Sequence, residues 1–303
     1  MRKYRLAYAL FLITLTAAAA AQPDLPFHQT KDVPCGPNVV MDVFTPTGKG
    51  LLPVYNAADQ GKGLAIIDIA SGGWSSDRGK INDHLGFKLY HILCARGYVV
   101  FAVRPGSMPD VTGLEMLQNI QTAIRFVKSK AKDYRIDPNR IGLMGASAGG
   151  HLTCLTVVNE TKADPAAADP LMRQNTRIKA ACAFFPPTDF LNWDGDVAPL
   201  DLAAELFFKG GIEGRSDKEI TAAAKELSPI YKVKPGLPPM IFFHGDADPL
   251  VPLQQSQDMV KALTKAGNEA SLIVKKGGGH PWLTLSMELI DMADWFDKQL
   301  RKP

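Results

Sequence analysis

Hydrophobic and polar positions follow two alternating patterns along the chain. Short apolar runs such as LAIIDIA at 64–70 are typical of strands buried on both faces. Amphipathic stretches separate these runs; within 113–134, Leu117, Ile120 and Ile124 fall on one helical face. Further strands are predicted at 39–44, 98–103, 140–145, 178–185, 239–245 and 270–276, and further helices at 80–97, 148–160, 217–227, 253–267 and 282–300. The alternation predicts an α/β fold, with a mostly parallel, twisted sheet and helices on both of its faces.

The N-terminus has the pattern of a secretory signal peptide over residues 1–21. Arg2, Lys3 and Arg5 precede an apolar run and a row of alanines that suits a cleavage site. The run is shorter than the roughly 20 residues of a membrane span. We therefore expect export after cleavage and no stable membrane anchor, with an uncleaved anchor as the alternative. Residues 22–38, which contain four prolines, are expected to be an extended lead-in to one domain over 39–303.

Charge and cysteine content exclude several classes of partner. The sequence has 34 basic and 31 acidic residues, and loss of the leader would leave these numbers equal. A basic surface, on which nucleic-acid binding relies, is therefore not indicated. The cysteines are too few for a disulfide scaffold and too widely spaced for a zinc site. The sequence assigns no pairing among Cys35, Cys94, Cys154 and Cys182.

The stretch IGLMGASAGGH at 141–151 contains a candidate nucleophile. Its Gly-Ala-Ser-Ala-Gly core fits the pattern G-x-S-x-G, follows a predicted strand and opens a predicted helix. In that setting the pattern forms a sharp turn that lifts the serine hydroxyl clear of the backbone, and crowding requires small neighbours. The alternative is a glycine-rich turn in which the serine only caps the helix. We interpret Ser147 as a nucleophile.

A serine hydroxyl needs a base to accept its proton, and the histidines differ in their suitability. His280 follows the last predicted strand in the loop GGGHPW, whose flexible approach suits a base that reaches across to another loop. His244, at the end of a strand, is the second candidate. Packing, solvent-facing or outward-pointing positions account for the remaining histidines: His28, His84, His91 and His151.

The base in turn needs a carboxylate to fix its tautomer and stabilise the imidazolium. The loop HGDADPLVP offers Asp246 and Asp248 directly after a strand, and either could simply cap a helix or brace a turn. We favour Asp248 as the partner of His280 and a structural role for Asp246. The chain order is then serine, aspartate, histidine, which is the order found in α/β-hydrolases.

Backbone amides complete the predicted constellation by stabilising an oxyanion. Ala148, directly after the candidate nucleophile, supplies one N–H. The second is expected from the loop after the early buried strand, where Gly72 and Gly73 present amides without side chains. A plain Gly-Gly turn is the alternative, but all the pieces fall in the expected loops and in the expected order.

Together these residues resemble the α/β-hydrolase superfamily, in particular the esterase branch that includes hormone-sensitive-lipase-like enzymes and bifunctional feruloyl and acetyl xylan esterases. The resemblance spans the chain from about Val39 onward. Where that branch usually has His-Gly-Gly-Gly-Trp, this sequence has Ala70-Ser71-Gly72-Gly73-Trp74, so the loop departs at its first two positions. The resemblance implies that residues 39–303 form a catalytic domain. It also implies that Ser147, His280 and Asp248 transfer an acyl group to water without a metal or cofactor.

The resemblance also bears on the substrate. It implies a small cap inserted after the strand at 178–185, within a stretch up to 217 that has no helical or strand pattern of its own. Trp193 in this stretch, with Trp74 and Trp282 beside the oxyanion loop and the base, could bind substrate or pack in the core. Export and the xylan-esterase likeness together imply a short-acyl, acetyl-type ester of a small molecule or a carbohydrate.

Two rival functions share parts of this pattern. A serine peptidase of the prolyl-oligopeptidase type has the same triad order but usually carries a propeller domain, for which the sequence has neither repeats nor length. A non-catalytic binding protein on a hydrolase fold is the second rival, since fold alone does not fix function. The departure at Ala70 and Ser71 favours that rival, and the complete serine, aspartate and histidine set opposes it.

Overall fold

The computed structural model describes residues 25–48, 63–194 and 200–301. The expected signal peptide lies outside these ranges. In chain order the described strands are β1 (Phe27–Gly36), β2 (Val39–Pro46), β3 (Gly63–Ile69), β4 (Val99–Arg104), β5 (Ile136–Ala146), β6 (Ala180–Phe184), β7 (Met240–Gly245) and β8 (Ala270–Lys275). They form one sheet with the spatial order β1-β2-β4-β3-β5-β6-β7-β8.

The direction of the strands divides this sheet into two parts. β1 pairs antiparallel with β2, and β2 pairs antiparallel with β4. From β4 across β3, β5, β6 and β7 to β8, every pair is parallel. The carboxyl ends of the parallel strands therefore meet at one edge of the sheet, where α/β folds bind their ligands.

The segment expected as an extended lead-in contributes a strand to the sheet. β1 lies within 22–38 and pairs with β2 from Phe27 against Pro46 to Gly36 against Val39. Phe27 and Cys35 of this strand are buried, so part of it packs against the core. The sheet thus begins before residue 39.

Helices cover both faces. They are α1 (Arg78–Gly86), α2 (Leu89–Ala95), α3 (Gly113–Ser129), α4 (Ala131–Tyr134), α5 (Ala148–Val158), α6 (Leu200–Phe207), α7 (Asp217–Leu227), α8 (Gln254–Lys265) and α9 (Leu285–Leu300). Buried residues of α3, α5 and α8 pack on one face of the sheet. Those of α1, α2 and α9 pack on the other. Within the described ranges, no helix is both long and apolar enough to span a membrane.

Two elements differ from the sequence prediction. The single helix expected at 80–97 is divided, because Lys88 adopts a left-handed conformation with φ of 67° between α1 and α2. The stretch after β6, expected to be irregular, contains α6, whose Ala203, Leu206 and Phe207 join the core. Burial of this apolar face stabilises a helix that the surrounding prolines and aspartates conceal in the sequence.

Candidate active site

Ser147 lies on the sharp turn between β5 and α5. Its φ of 54° and ψ of −120° are sparsely populated for a residue with a side chain, and its N–H donates to the carbonyl of Phe184 at 2.9 Å. A Cβ at Gly145 would lie 2.4 Å from the backbone of Gly149, and one at Gly149 would lie 2.4 Å from the carbonyl oxygen of Ile69. The turn can therefore form only because these neighbours are glycines.

His280 connects Ser147 to Asp248. Its Nε2 lies 2.8 Å from Ser147 Oγ, and its Nδ1 lies 2.7 Å from Asp248 Oδ2. Because an ionised carboxylate only accepts hydrogen bonds, Nδ1–H donates to Asp248 and Nε2 is left to accept the serine proton. The three side chains come from the loops after β5, β7 and β8, which meet at the carboxyl edge of the sheet.

Asp248 is held in its charged form although its side chain is fully buried. Burial alone disfavours the charge, but His244, whose Nε2 lies 3.5 Å from Asp248 Oδ2, together with the hydrogen bonds from His280 and from the amides of Leu250 and Val251, holds its pKa well below the usual range. Asp248 is therefore a carboxylate at neutral pH, where it accepts the hydrogen bond from His280.

The two alternative candidates in this region occupy other positions. Asp246 accepts the N–H of Gly277 at 2.6 Å and braces the turn after β8. His244 is buried between Ser256 Oγ at 2.7 Å and the carbonyl of Val251 at 2.9 Å. Both side chains support the loop that carries Asp248, and neither contacts Ser147.

The loop after β3 forms a tight turn whose central residues, Gly73 and Trp74, both have positive φ, 57° and 54°. Gly72 and Ser75 bridge this turn, and the N–H of Gly72 donates to the carbonyl of Ser75 at 3.0 Å. Gly72, expected as an oxyanion donor, therefore already has an acceptor for its N–H. In the described part of the chain, the N–H of Gly73 has none.

The N-terminus of α5 supplies the other free amide. Ala148 is the first residue of α5, so its N–H has no intrahelical acceptor, and Ser147 provides no side-chain cap. The N–H of Gly149 donates to the carbonyl of Ser71 at 3.1 Å, which fixes α5 against the loop after β3. Gly73 and Ala148, whose N–H groups have no acceptor among the described residues, both line the cavity that contains Ser147.

A cavity of about 810 Å³ opens above Ser147 and His280. Its walls are mainly apolar, and polar groups of α1 face it on one side. The lining side chains beyond the loops already described are Lys80, Asp83, His84, Phe87, Phe185, Pro187, Trp193, Pro249, Leu250, Val251, Pro281 and Leu285. A mainly apolar pocket with a few placed polar groups is typical of small-molecule sites.

The three tryptophans expected to contact substrate differ in position. Trp193 is partly buried and lines the cavity. Trp74 also lines it but is 2% exposed, and its indole N–H donates to His151. Trp282 is not among the lining residues, because its ring is buried and its N–H donates to Glu288 at 2.8 Å.

Sequence reasoning missed His84, which it assigned to packing or solvent. The structure places His84 on the cavity wall, with Nδ1 2.7 Å from the buried carboxylate of Asp68. The signal that could have found it is Asp68 itself, the only charged residue in the apolar run LAIIDIA. A carboxylate inside a buried strand needs a partner.

Within the described ranges, no cluster of three or more histidine, cysteine or acidic side chains could hold a metal ion. The sequence assigned no pairing among the four cysteines, and in the structure all of them are buried free thiols.

The chain is similar to a known protein family and to solved structures. The model of the BD-FAE family matches residues 52–263. A solved structure described as a truncated form of carbohydrate esterase from gut microbiota has a TM-score of 0.75 and is 26% identical, covering 92% of this chain and 99% of that one.

Among named relatives, esterase LipQ of Mycobacterium tuberculosis is 26% identical over 79% of this chain and 53% of its own length. The acetylxylan esterase of Xylanibacter ruminicola is 25% identical over 77% of this chain and 45% of its own. The chain spans about half the length of the curated relatives it matches. The family model, by contrast, covers most of the chain. The chain belongs to the BD-FAE family and has the α/β-hydrolase fold.

Proposed function

We propose that this protein hydrolyses carboxylic esters, with Ser147 as nucleophile. The observation that carries the proposal is the unbroken line of hydrogen bonds from Ser147 Oγ through His280 to Asp248, next to the unpaired amides of Gly73 and Ala148. A nucleophile, an oriented base and an oxyanion site are the three parts that acyl transfer requires.

The reaction follows from this geometry. Ser147 Oγ attacks the ester carbonyl while its proton passes to Nε2 of His280, and Asp248 stabilises the imidazolium. The amides of Gly73 and Ala148 donate to the oxyanion of the tetrahedral intermediate. Collapse of the intermediate expels the alcohol, which takes the proton from His280 and leaves an acyl-enzyme on Ser147.

Water completes the cycle. His280 accepts a proton from the water that attacks the acyl carbon, and the second tetrahedral intermediate then expels Ser147 Oγ, which takes this proton back from His280 as the acid is released. The cycle needs no metal or organic cofactor, because the serine, the histidine and the two amides supply the nucleophile, the proton transfer and the charge stabilisation.

For the substrate, we propose a short-acyl ester, acetyl in type, of a carbohydrate. Relatives described as an acetylxylan esterase and a carbohydrate esterase support this choice. The catalytic domain is proposed to comprise residues 39–303, preceded by β1. Export after removal of residues 1–21 is also part of the proposal, on the signal-peptide pattern of that segment.

Covalent labelling tests the proposal. A fluorophosphonate probe should label the protein at Ser147 and should not label the Ser147→Ala variant. Release of acetate from acetylated xylan then tests the substrate. Cleavage of dipeptidyl nitroanilides in place of esters would instead support a peptidase, and a serine that stays unlabelled would support a binding protein.

A further inference from the structure

A carboxylate that the proposed reaction does not use is buried under the cavity. Asp68 of β3 is fully buried, and its Oδ2 accepts hydrogen bonds from Tyr90 at 2.8 Å and from His84 Nδ1 at 2.7 Å. Its Oδ1 is buried without a hydrogen-bond partner among the described residues. Burying a carboxylate in a strand costs several kcal/mol unless it is well paired, whereas an apolar residue there would carry no such cost.

The carboxylate determines how His84 faces the cavity. Because Nδ1–H donates to Asp68, the ring presents Nε2 away from the strand, and no hydrogen bond within the described residues involves that atom. Burial alone would lower the pKa of His84, but the charge and hydrogen bond of Asp68 raise it above the ordinary value. His84 lines the same cavity as Ser147, so its Nε2 is a hydrogen-bonding atom that Asp68 holds in place within reach of a bound substrate.

The neighbouring polar groups balance one another in charge. Lys80 lies one turn before His84 on α1, and its Nζ is 3.8 Å from the carboxylate of Asp83. His84 is matched in the same way by Asp68. The hydroxyl of Ser71, a residue that also lines the cavity, is buried without a partner among the described residues. This wall therefore offers donors and acceptors without excess charge, which suits a hydroxylated ligand better than an ion.

Size indicates which part of the substrate meets this wall. A cavity of about 810 Å³ is far larger than a short acyl group. An acetyl group also carries no hydroxyl, so the hydroxyls must belong to the alcohol part of the ester. An imidazole Nε2 can donate to a hydroxyl when the ring is charged and accept from it when the ring is neutral.

We infer that His84, oriented by Asp68, binds a hydroxyl of the alcohol part of the substrate and so selects sugar-like esters over apolar ones of the same size. The inference rests on the proposed ester hydrolysis, which it deepens. His84 is then a specificity-determining residue, separate from the groups that perform the acyl transfer.

The test compares two esters of one acyl group whose alcohols are both six-membered rings but differ in hydroxyls: a monoacetylated methyl xyloside and cyclohexyl acetate. In the wild-type protein, kcat/KM should be at least about tenfold higher for the xyloside, because a cyclohexyl ring leaves the buried polar groups unpaired. His84→Ala should lower this ratio by about tenfold. His91→Ala, at a histidine of α2 that does not line the cavity, should leave the ratio and both rates unchanged.

The outcomes separate the inference from the proposed function. An unchanged ratio in a folded His84→Ala variant overturns the inference, as does a wild-type ratio near one. If that variant does not fold, His84→Asn replaces it under the same two outcomes, since its amide can keep the hydrogen bond to Asp68 but does not reach the position of Nε2. If the wild-type protein hydrolyses none of the three esters (the acetylated xyloside, cyclohexyl acetate and p-nitrophenyl acetate), the proposed function is overturned, and the inference with it.

Discussion

Trp74 donates its indole N–H to Nδ1 of His151 across 3.1 Å, and this bond joins the loop after β3 to helix α5 behind Ser147. The other ring nitrogen, Nε2, donates to the carbonyl of Leu227 at 2.7 Å, at the end of α7. Burial lowers the pKa of His151 to about 4, so the ring is neutral and the two bonds fix its tautomer. The turn that carries the free amide of Gly73 is thereby held in its positive-φ conformation.

Replacing Trp74 by phenylalanine tests whether this bond positions the oxyanion site. The change removes the N–H and leaves Nδ1 of His151 buried without a partner, which costs about 1–3 kcal/mol. We expect kcat for p-nitrophenyl acetate to fall about tenfold or more while KM changes little, since the amide acts mainly in the transition state. Trp295→Phe, in α9, is the control and should keep its kcat. A loss of stability without any loss of kcat would show that the bond only supports the fold.

Gly149→Ala tests the close contact between the turn at Ser147 and β3. The new Cβ would lie 2.4 Å from the carbonyl oxygen of Ile69, so the backbone must shift. We expect the free energy of unfolding, measured in urea, to fall by about 1–3 kcal/mol. Gly86→Ala adds a methyl group at the end of α1 with nothing within 4 Å and should be close to neutral. Equal stabilities of the two variants would contradict the packing described for the turn.

The cysteines should be inert in the native protein. All are buried free thiols; burial raises the pKa of Cys35 to about 12 and also raises the pKa of each of the other three. Because the thiolate is the reactive form, a thiol reagent at pH 8 should modify none of them until the protein is unfolded. After unfolding without a reductant, the reagent should count four thiols. A count of two would reveal a disulfide.

The pairing of His84 with Asp68 should make stability depend on pH in a defined direction. Because the folded-state pKa of His84 is raised, its contribution is fully present below the unfolded value of about 6.5 and is lost as the pH rises through the folded value. The other groups that face His84 are Tyr90, which bonds Asp68, and Lys80 and Asp83 of α1. The free energy of unfolding of wild type minus His84→Gln should therefore decrease from pH 6 upward.

His91 supplies a control of opposite sign. Burial and, to a smaller extent, Lys88 lower its pKa, so its contribution is present above about 6.5 and is lost as the pH falls. The free energy of unfolding of wild type minus His91→Gln should therefore increase with pH below about 6.5 and stay level above it. If both of these free-energy differences changed with pH in the same direction, the environments described for the two histidines would be contradicted.

The sequence predicted the parts of the site that depend on local patterns. Ser147, Asp248 and His280 each follow an apolar run in a loop of glycines or prolines, and parallel strands bring such loops to one edge. Their hydrogen-bonding distances agree with that expectation.

The parts that sequence reasoning missed depend on contacts distant in the chain. Gly72 looked equivalent to Gly73 until the turn paired its N–H with Ser75. Trp282 turns to Glu288 because α9 begins just after it. His84 acquires its position from Asp68, on another element, and no periodicity within α1 reveals that partner. The hydrogen-bond partners of these three residues are set by tertiary structure.

The central claim is that Ser147 is the nucleophile of an esterase, and the hydrolysis of p-nitrophenyl acetate and butyrate by the wild-type protein and Ser147→Ala tests it most directly. We expect kcat/KM for both esters to fall by at least about a thousandfold in the variant, because loss of the nucleophile removes most of the rate enhancement. The acetate-to-butyrate ratio of the wild-type protein should favour acetate. Equal rates for the two proteins, at or near the uncatalysed background, would contradict the claim.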